Sequence, residues 1–436
     1  MRKTTLATLI AGALLSQPAV ALDLLQAFND AQAYDSQLAS ARAQRDATRE
    51  AVVQGRAGLL PSAAFTAGVN KINGDASTTQ GKLPIDYTAD SYQLQLKQPL
   101  FNRGNLAAYD QSKLQAATGD IQYEQARIDL ALRVAQAYFD VLAAEDAISF
   151  LEAQKIAISE QLASAKRNFE VGTATITDAH EAQARFDLAE AQEIAARNDL
   201  DVKRNALALI IGKQPAALAT LKAGARLMPP EPAGVERWIE QAQSANLGVM
   251  AQDLNAQIAK LSIERARAGH LPTVDAVGSY GRNKSFFTSP ITTTTTTIGV
   301  QVTVPLFTGY ATSSQVNQAV ALEDKARTDL ETSKRNAAQS VRTAYLGVQS
   351  GLSQVRALEA AETSSKLALE ANQLGYQVGV RINIDVLNAQ QQLYSTRRDL
   401  AKARYDTLVN GLRLKAAAGS LTQDDIAQLN ALLTSR

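Results

Sequence analysis

The segment RNFEVGTATITDAHEAQARFD, Arg167 to Asp187, has a second version in GYQVGVRINIDVLNAQQQLY, Gly375 to Tyr394, and the two align at a single offset. Val171 and Gly172 return as Val378 and Gly379, Asp178 as Asp385, and Ala182 and Gln183 as Ala389 and Gln390, each pair 207 positions apart. Working outward, Ala137 and Tyr138 return as Ala344 and Tyr345, and Gly212 as Gly419. With a small shift, QPLF (Gln98 to Phe101) answers VPLF (Val304 to Phe307), and Leu60-Pro61 answers Leu271-Pro272. The chain reads as two tandem copies of one unit, expected over residues 22–228 and 229–436. A repeat this long raises the question of what several copies build side by side.

In each copy the quoted segment is a reversal. Gly172 or Gly379 tolerates the positive φ of a turn, and Thr177 is placed to cap the return helix. Before the turn, Asn105 to Glu170 contains no proline and is dominated by alanine, glutamine, leucine and charged residues, which favours helix at nearly every position. Those 66 residues, at ~1.5 Å each, make a rod of roughly 100 Å. Tyr310 to Gln377 repeats it. Return helices run on to Gly212 and Gly419, and shorter helical segments open each copy at Asp23 to Gly55 and Val235 to Ala268. Placed end to end, the short pieces match the long one, so antiparallel rods of one long helix beside two short ones are expected. Val386, Leu393, Leu400 and Leu414, interrupted by Thr407, form one heptad stripe beside a second of Leu387, Tyr394, Ala401 and Leu408. Two stripes suit a helix gripped from both sides, or an ordinary bundle core.

Between the opening helix and the long rod the period changes to two. Ala63, Phe65, Ala67 and Val69 alternate with Ser62, Thr66 and Gly68, and Tyr92, Leu94 and Leu96 alternate with Gln93, Gln95 and Lys97. In the second copy Ile298, Val300, Val302 and Val304 alternate with Gly299, Gln301 and Thr303. Strands are expected at about 62–72, 90–100, 272–283 and 292–304, joined by polar loops at Asn73 to Asp90 and about Asn283 to Pro290. The threonine run Thr292 to Thr297 reads as the mouth of the last strand. One apolar and one small or polar face, over about ten residues, is the pattern of a membrane barrel with a wet interior. Four strands cannot close a barrel and open edges are not tolerated in hydrocarbon, so several chains must pool strands. Two or three copies give eight or twelve, and a trimer is the simplest assembly that leaves a lumen.

Arg2 and Lys3 precede an apolar run from Leu6 to Leu15, with Ala19-Val20-Ala21 as a small-x-small cleavage site, so residues 1–21 are expected to be an export signal and Leu22 the mature start. Of 44 lysines and arginines, 42 then remain against 43 acids, a balance with no basic bias toward nucleic acid. There is no cysteine, hence no disulfide framework, thiolate metal site or acyl anchor. Past the signal no run of 18 apolar residues marks a spanning helix. No nucleophile elbow, phosphate-cradling glycine loop or HExxH pattern is present. His180 reads as a solvated helix residue, and His270 as the helix-to-strand passage with no second ligand at useful spacing.

Taken in order, LLP before the first strand, QPLF, AYFDVLAAEDAISF, both reversals and ARYDTLVNGLRLKAAAGSL make the chain resemble the TolC family of outer-membrane exit ducts over essentially its whole mature length. The resemblance implies a mixed α and β membrane protein: a homotrimer with one twelve-stranded outer-membrane β-barrel, four strands per chain, continuous with a periplasmic α-helical coiled-coil barrel. It implies type I protein secretion and multidrug efflux, with a periplasmic adaptor and an inner-membrane ABC or proton-driven exporter as partners, in a Gram-negative outer membrane. It implies no catalysis and no cofactor. Carried over by position, Arg381 and Tyr376 match the residues that hold the periplasmic end shut, and Thr177 with Asp178 their partners on the other hairpin. An arginine–carboxylate link is directional and can be broken by competition, as a latch requires. Asp385 matches the first of two acids ringing the constriction, while Asn388 stands where the second would be, so this ring is less negative. Glu181 is its counterpart in the first copy. The competing reading is a non-conducting envelope spacer; a secreted hydrolase lacks any candidate constellation.

Overall fold

The long helices begin beside Pro99 and Pro305 and stop at glycines. In the computed structural model, which describes residues 21–78, 81–215, 217–222, 224–286 and 290–434, α3 runs from Arg103–Glu170 and α7 from Ala311–Gln377. The return helices are α4 (Ile176–Ile211) and α8 (Asn383–Ala417). Apart from Ala21, the expected export signal lies outside the described residues. Among these residues no helix is long and apolar enough to cross a membrane.

Each opening segment is two helices rather than one. In the first copy α1 (Leu24–Tyr34) and α2 (Ser36–Ala57) are separated by Asp35, and in the second α5 (Val235–Ala245) and α6 (Leu247–Arg267) by Asn246. Both break residues are extended, with ψ of 121° and 126°. Each has a polar side chain that can hydrogen-bond the backbone locally, which lets it compete with helix continuation. Asp35 Oδ1 accepts from Leu38 N at 2.7 Å and so starts α2. Asn246 Nδ2 donates to Ala417 O at 2.9 Å.

The chain forms two compact units, and each draws on both repeats. The first comprises the described residues of Met1–Ala39, Ala126–Asn246 and Ala337–Arg436. Its buried side chains include Tyr138, Phe139, Leu130, Val134 and Leu142 from α3 and Leu400, Leu412 and Leu414 from α8. The Tyr138 hydroxyl lies 2.9 Å from Leu22 O and 2.8 Å from Ala219 O, and burial holds this phenol well above its ordinary pKa. Phe139 stacks on Tyr405 at 5.6 Å, and Tyr405 donates to Asp146 at 2.7 Å. A small sheet of β3 (Thr220–Leu221) and β6 (Leu433–Thr434) closes this region beside the short helix α9 (Gln423–Asn430). Gly212 ends α4 at φ 76°, and an added Cβ there would stand 2.4 Å from the Tyr34 ring.

The second unit comprises Ser40–Gln125 and Leu247–Asn336. Here β1 (Ser62–Thr78), β2 (Gly81–Phe101), β4 (Thr273–Phe286) and β5 (Pro290–Thr303) form one antiparallel sheet in the order β1-β2-β4-β5. The β2–β4 ladder therefore joins the hairpins of the two repeats, leaving β1 and β5 as the sheet edges. Beneath the sheet, α2 lies close on α3. A Cβ at Gly55 would meet Ser112 Oγ at 2.5 Å, and one at Gly119 would meet Thr48 Cβ at 3.0 Å. On another side of α3, Gln111 donates to Ser262 Oγ at 2.7 Å and Ile258 O at 3.1 Å of α6.

The strands run further toward the hairpin tips than the sequence reading placed them: most of the expected loop from Asn73 to Asp90 is strand, and so are the described residues of the expected loop at about Asn283 to Pro290, of which 287–289 lie outside the described residues. β1 continues to Thr78 and β2 starts at Gly81. Apolar side chains shift from odd to even positions in β1 just before this stretch, between Val69 and Ile72, and in β2 from odd to even at its end, between Tyr87 and Tyr92. That shift of phase reads as a break in the pattern although the backbone remains extended.

Candidate functional site

The two reversals are built by the same hydrogen bonds, displaced by the repeat offset. Gly172 (φ 75°) donates to Phe169 O, and Thr173 and Ala174 both donate to Asn168 O at 2.8 and 3.1 Å. Gly379 (φ 77°) donates to Tyr376 O, and Val380 and Arg381 both donate to Gly375 O at 2.9 and 3.1 Å. Carbonyls at each helix end are thereby satisfied by a residue in the left-handed region, where glycine is free of Cβ strain. Gly375 has a further role, since a Cβ there would lie 2.7 Å from Arg381 Cγ.

The N-cap of α4 is Thr175 rather than Thr177. Asp178 Oδ2 accepts from Thr175 N at 3.0 Å and Thr175 Oγ1 at 2.8 Å, and Asp178 N donates to Thr175 Oγ1 at 3.3 Å, a capping box. In such a box the cap and the acid are three residues apart, which places the cap at 175 and leaves Thr177 exposed in the first turn.

Within the protomer the predicted residues divide into separate contacts. Arg381 Nη1 faces Asp385 Oδ2 at 3.7 Å rather than Asp178, and both side chains are partly solvated, so the pair contributes only about 0–1 kcal/mol. The Tyr376 hydroxyl accepts from Asn168 Nδ2 at 3.2 Å. Asp178 is tied to α8 through its backbone: Asn383 Nδ2 donates to Asp178 O at 3.2 Å, while Asn383 Oδ1 accepts from Gln161 Nε2 of α3 at 2.5 Å. Asn388 accepts from Arg185 Nη2 at 3.0 Å, and the same guanidinium donates through Nη1 to Gln391 at 2.7 Å. Leu387 packs beside these amides with Ile158, Ala165, Ala182 and Ala189.

Asn168, Gln161, Asn383 and Arg185 are the residues that sequence reasoning missed. A signal for one of them was present: Asn383 and Gln390 are seven apart and both buried, at 1% and 3% exposure, which marks polar heptad positions inside an otherwise apolar seam. Glu181 is half-buried, and His180 and His270 are exposed. Among the described residues no three histidine or acidic side chains gather as a metal-binding group.

A model of the outer membrane efflux protein family matches residues 27–213 and 238–420. The chain is 37% identical over 422 residues to the outer membrane protein TolC of Vibrio cholerae serotype O1, covering 96% of this chain and 95% of that protein. It is 34% identical over 421 residues to the alkaline protease secretion protein AprF of Pseudomonas aeruginosa, covering 95% and 88%. The crystal structure of the outer membrane protein VceC from Vibrio cholerae matches with a TM-score of 0.77 and 19% identity over 91% of this chain and 96% of that one, a likeness of fold.

Proposed function

Because the chain belongs to the outer membrane efflux protein family, we propose that three copies assemble into a duct whose closed end is latched at the helix reversals. The protein is an outer-membrane exit duct for secretion and efflux that extends into the periplasm. The trimer is supported by the two sheet edges, β1 and β5, which open hydrocarbon does not tolerate. Apolar stripes on the helices point the same way. Leu188, Val202 and Leu209 of α4 are 48, 56 and 78% exposed, and Leu346, Leu367 and Leu374 of α7 are 61, 61 and 62% exposed, all at heptad multiples. In an aqueous compartment such seams call for other helices, at about 1.5–3 kcal/mol for each side chain fully covered.

At the tips, Arg381 of one copy reaches Thr177 and Asp178 of the next, exchanging its weak pairing with Asp385 for an intermolecular one, and Tyr376 steadies the same corner. Repeated by symmetry, small links add to a closure that an adaptor can undo by offering competing partners. Energy comes from an inner-membrane exporter, either an ABC transporter or a proton-driven pump. The names of relatives support both cargo classes, protease secretion in AprF and efflux in the family itself. The duct has no catalytic step and needs no cofactor.

The observation that carries this reading is the pair of unmatched sheet edges on a chain of this family. Conductance in a planar bilayer tests the latch. Wild-type protein is expected to conduct poorly, and Arg381→Ser severalfold better. Equal conductance of the two would remove Arg381 from the latch.

A further inference from the structure

The threonine run of β5 sets half its side chains on each face of the sheet, and the two faces differ. The β1–β2 and β4–β5 ladders run without a shift, and β2–β4 is regular until its end near Pro99, so alternate residues mark one face of all four strands. One face carries Phe65, Val69, Leu94, Leu96, Ile298 and Val300. It is the side suited to lipid, because the other presents Thr66, Gln93, Gln95 and Gln301. Toward the hairpins its apolar stretch ends at Tyr92 and Tyr280, residues of the kind that form interfacial girdles. Tyr92 to Leu100 is nine residues, close to the about 9–11 that a tilted strand uses to cross hydrocarbon. The other ends of the strands lead to α2, α3, α6 and α7, on the periplasmic side, so the two tyrosines mark the outer boundary.

Just beyond the tyrosines the same face turns basic. Arg282 stands across the ladders from Tyr92 on one side and Thr294 on the other, and Lys284 stands across from Thr292. Asp90 is 3.9 Å from both cations, longer than a hydrogen bond, so one acid faces two cations without engaging either closely. Arg282 Nε also has no hydrogen-bond partner. One positive charge is left in excess. The remaining charges of this face balance: Lys71 is ion-paired with Asp86, and Asp75 and Lys82 nearer the tip are opposite in sign. Thr292, Thr294 and Thr296, the members of the run on this side, are exposed and set hydroxyl donors beside the cations. A planar guanidinium, an ammonium and adjacent hydroxyls suit a phosphate group, which Arg grips with paired donors and Lys as a point charge. A phosphate monoester has three strong acceptor oxygens and nearly two negative charges to meet them.

We infer that Arg282 and Lys284, with Thr292 and Thr294, hold the phosphate of an outer-leaflet glycolipid whose acyl chains lie along Tyr280, Ile298 and Val300. This rests on the trimeric-duct reading above, which puts this face in lipid. The occupant needs both parts, a phosphate for the cations and tails for the apolar strip beneath them. The site borders β5, the strand that meets β1 of the neighbouring copy in a closed ring. A lipid held there covers a seam between molecules and stabilises the assembled trimer by mass action. The threonine run thereby has a use on each face: its β-branched side chains suit a strand, and their hydroxyls serve water on one side and a headgroup on the other.

The full-length protein in detergent is titrated with a diphosphorylated, acylated disaccharide and followed by native mass measurement. Wild type is expected to carry up to one glycolipid per copy. Arg282→Gln/Lys284→Gln protein is expected to bind at least about tenfold more weakly, since hydrogen bonds to a charged group are lost. Lys82→Gln removes a charge from the same face nearer the tip and is expected to bind as wild type does. The dephosphorylated lipid tests the wild-type protein without relying on any variant to fold, and it too should bind at least about tenfold more weakly. Equal binding of the two lipids, equal binding by the double variant, or an equal loss in Lys82→Gln overturns the site. Displacement of the glycolipid by inorganic phosphate at the same concentration also overturns it, by assigning the cations to a soluble anion. Each of these results in a trimer leaves the duct reading standing; a monomer overturns the duct reading and the site together.

Discussion

Asp35 divides the opening helix and then caps α2, and both tasks depend on its charge. Burial opposes that charge, but two hydrogen bonds from Arg133, each 3.1 Å, and the Leu38 N–H outweigh it and hold the carboxyl below its usual range. A depressed carboxylate pKa stabilises the fold above the unfolded-state value, and the contribution is lost as pH falls through the folded-state value. Asp35→Asn is therefore expected to cost about 1.5–3 kcal/mol at pH 7, the range for hydrogen bonds to charged groups. The gap from wild type should begin to narrow below about pH 4, where the unfolded-state carboxyl takes up its proton, and close as pH falls further through the depressed native value. Urea unfolding followed by circular dichroism at both pH values measures it. At the equivalent break in the second copy, Asn246 holds its site with an uncharged amide, so no such pH dependence is expected there.

At the scale of elements, the long helices, return helices and glycine turns were legible because composition and punctuation agree over many residues. Val386, Leu393, Leu400, Thr407 and Leu414 are all buried, as a seam requires. The division of each opening helix was not legible: Asp35 caps α2 locally through Leu38 N but is held there by Arg133, far away in the chain, and Asn246 is fixed by Ala417 O, so the sequence of the helix alone does not announce either break. The length of β1 and β2 was missed for a different reason. Alternation identifies a strand by its apolar face, and that face changes side between Val69 and Ile72 in β1 and between Tyr87 and Tyr92 in β2. At the reversals the residue types were readable, but their partners were not: the sequence carries Asp178 and Arg381 without saying that the capping box and Asn383 already engage Asp178. The seam beside that site is where packing is most exacting. Leu387 is 1% exposed among small alanines that cannot move in to fill a gap, and Leu387→Ala is expected to cost about 2–5 kcal/mol, read as a fall in the unfolding midpoint.

For the whole molecule, charge at the proposed constriction of Asp385 and Asn388 would rest on very few groups. Arg185 binds the Asn388 amide, and Asp385 shares its field with Arg381 at 3.7 Å, so each copy offers one partly compensated carboxylate. Rings of acidic side chains favour cations. Asp385→Asn is expected to lower the cation preference, and Arg381→Ser to raise it, as read from reversal potentials across a salt gradient in planar bilayers.

The ladder between β2 and β4 has a bearing on how such a cylinder is put together. Because the four strands of each copy are already stitched into a single panel, a twelve-stranded wall needs only three seams between molecules, each joining the last strand of one panel to the first of another. All three seams are the same, so a substitution that spoils one spoils every one. A ring with only two of its three seams closed still presents bare backbone to lipid, which makes partial assemblies poor resting states and completion of the ring all-or-none.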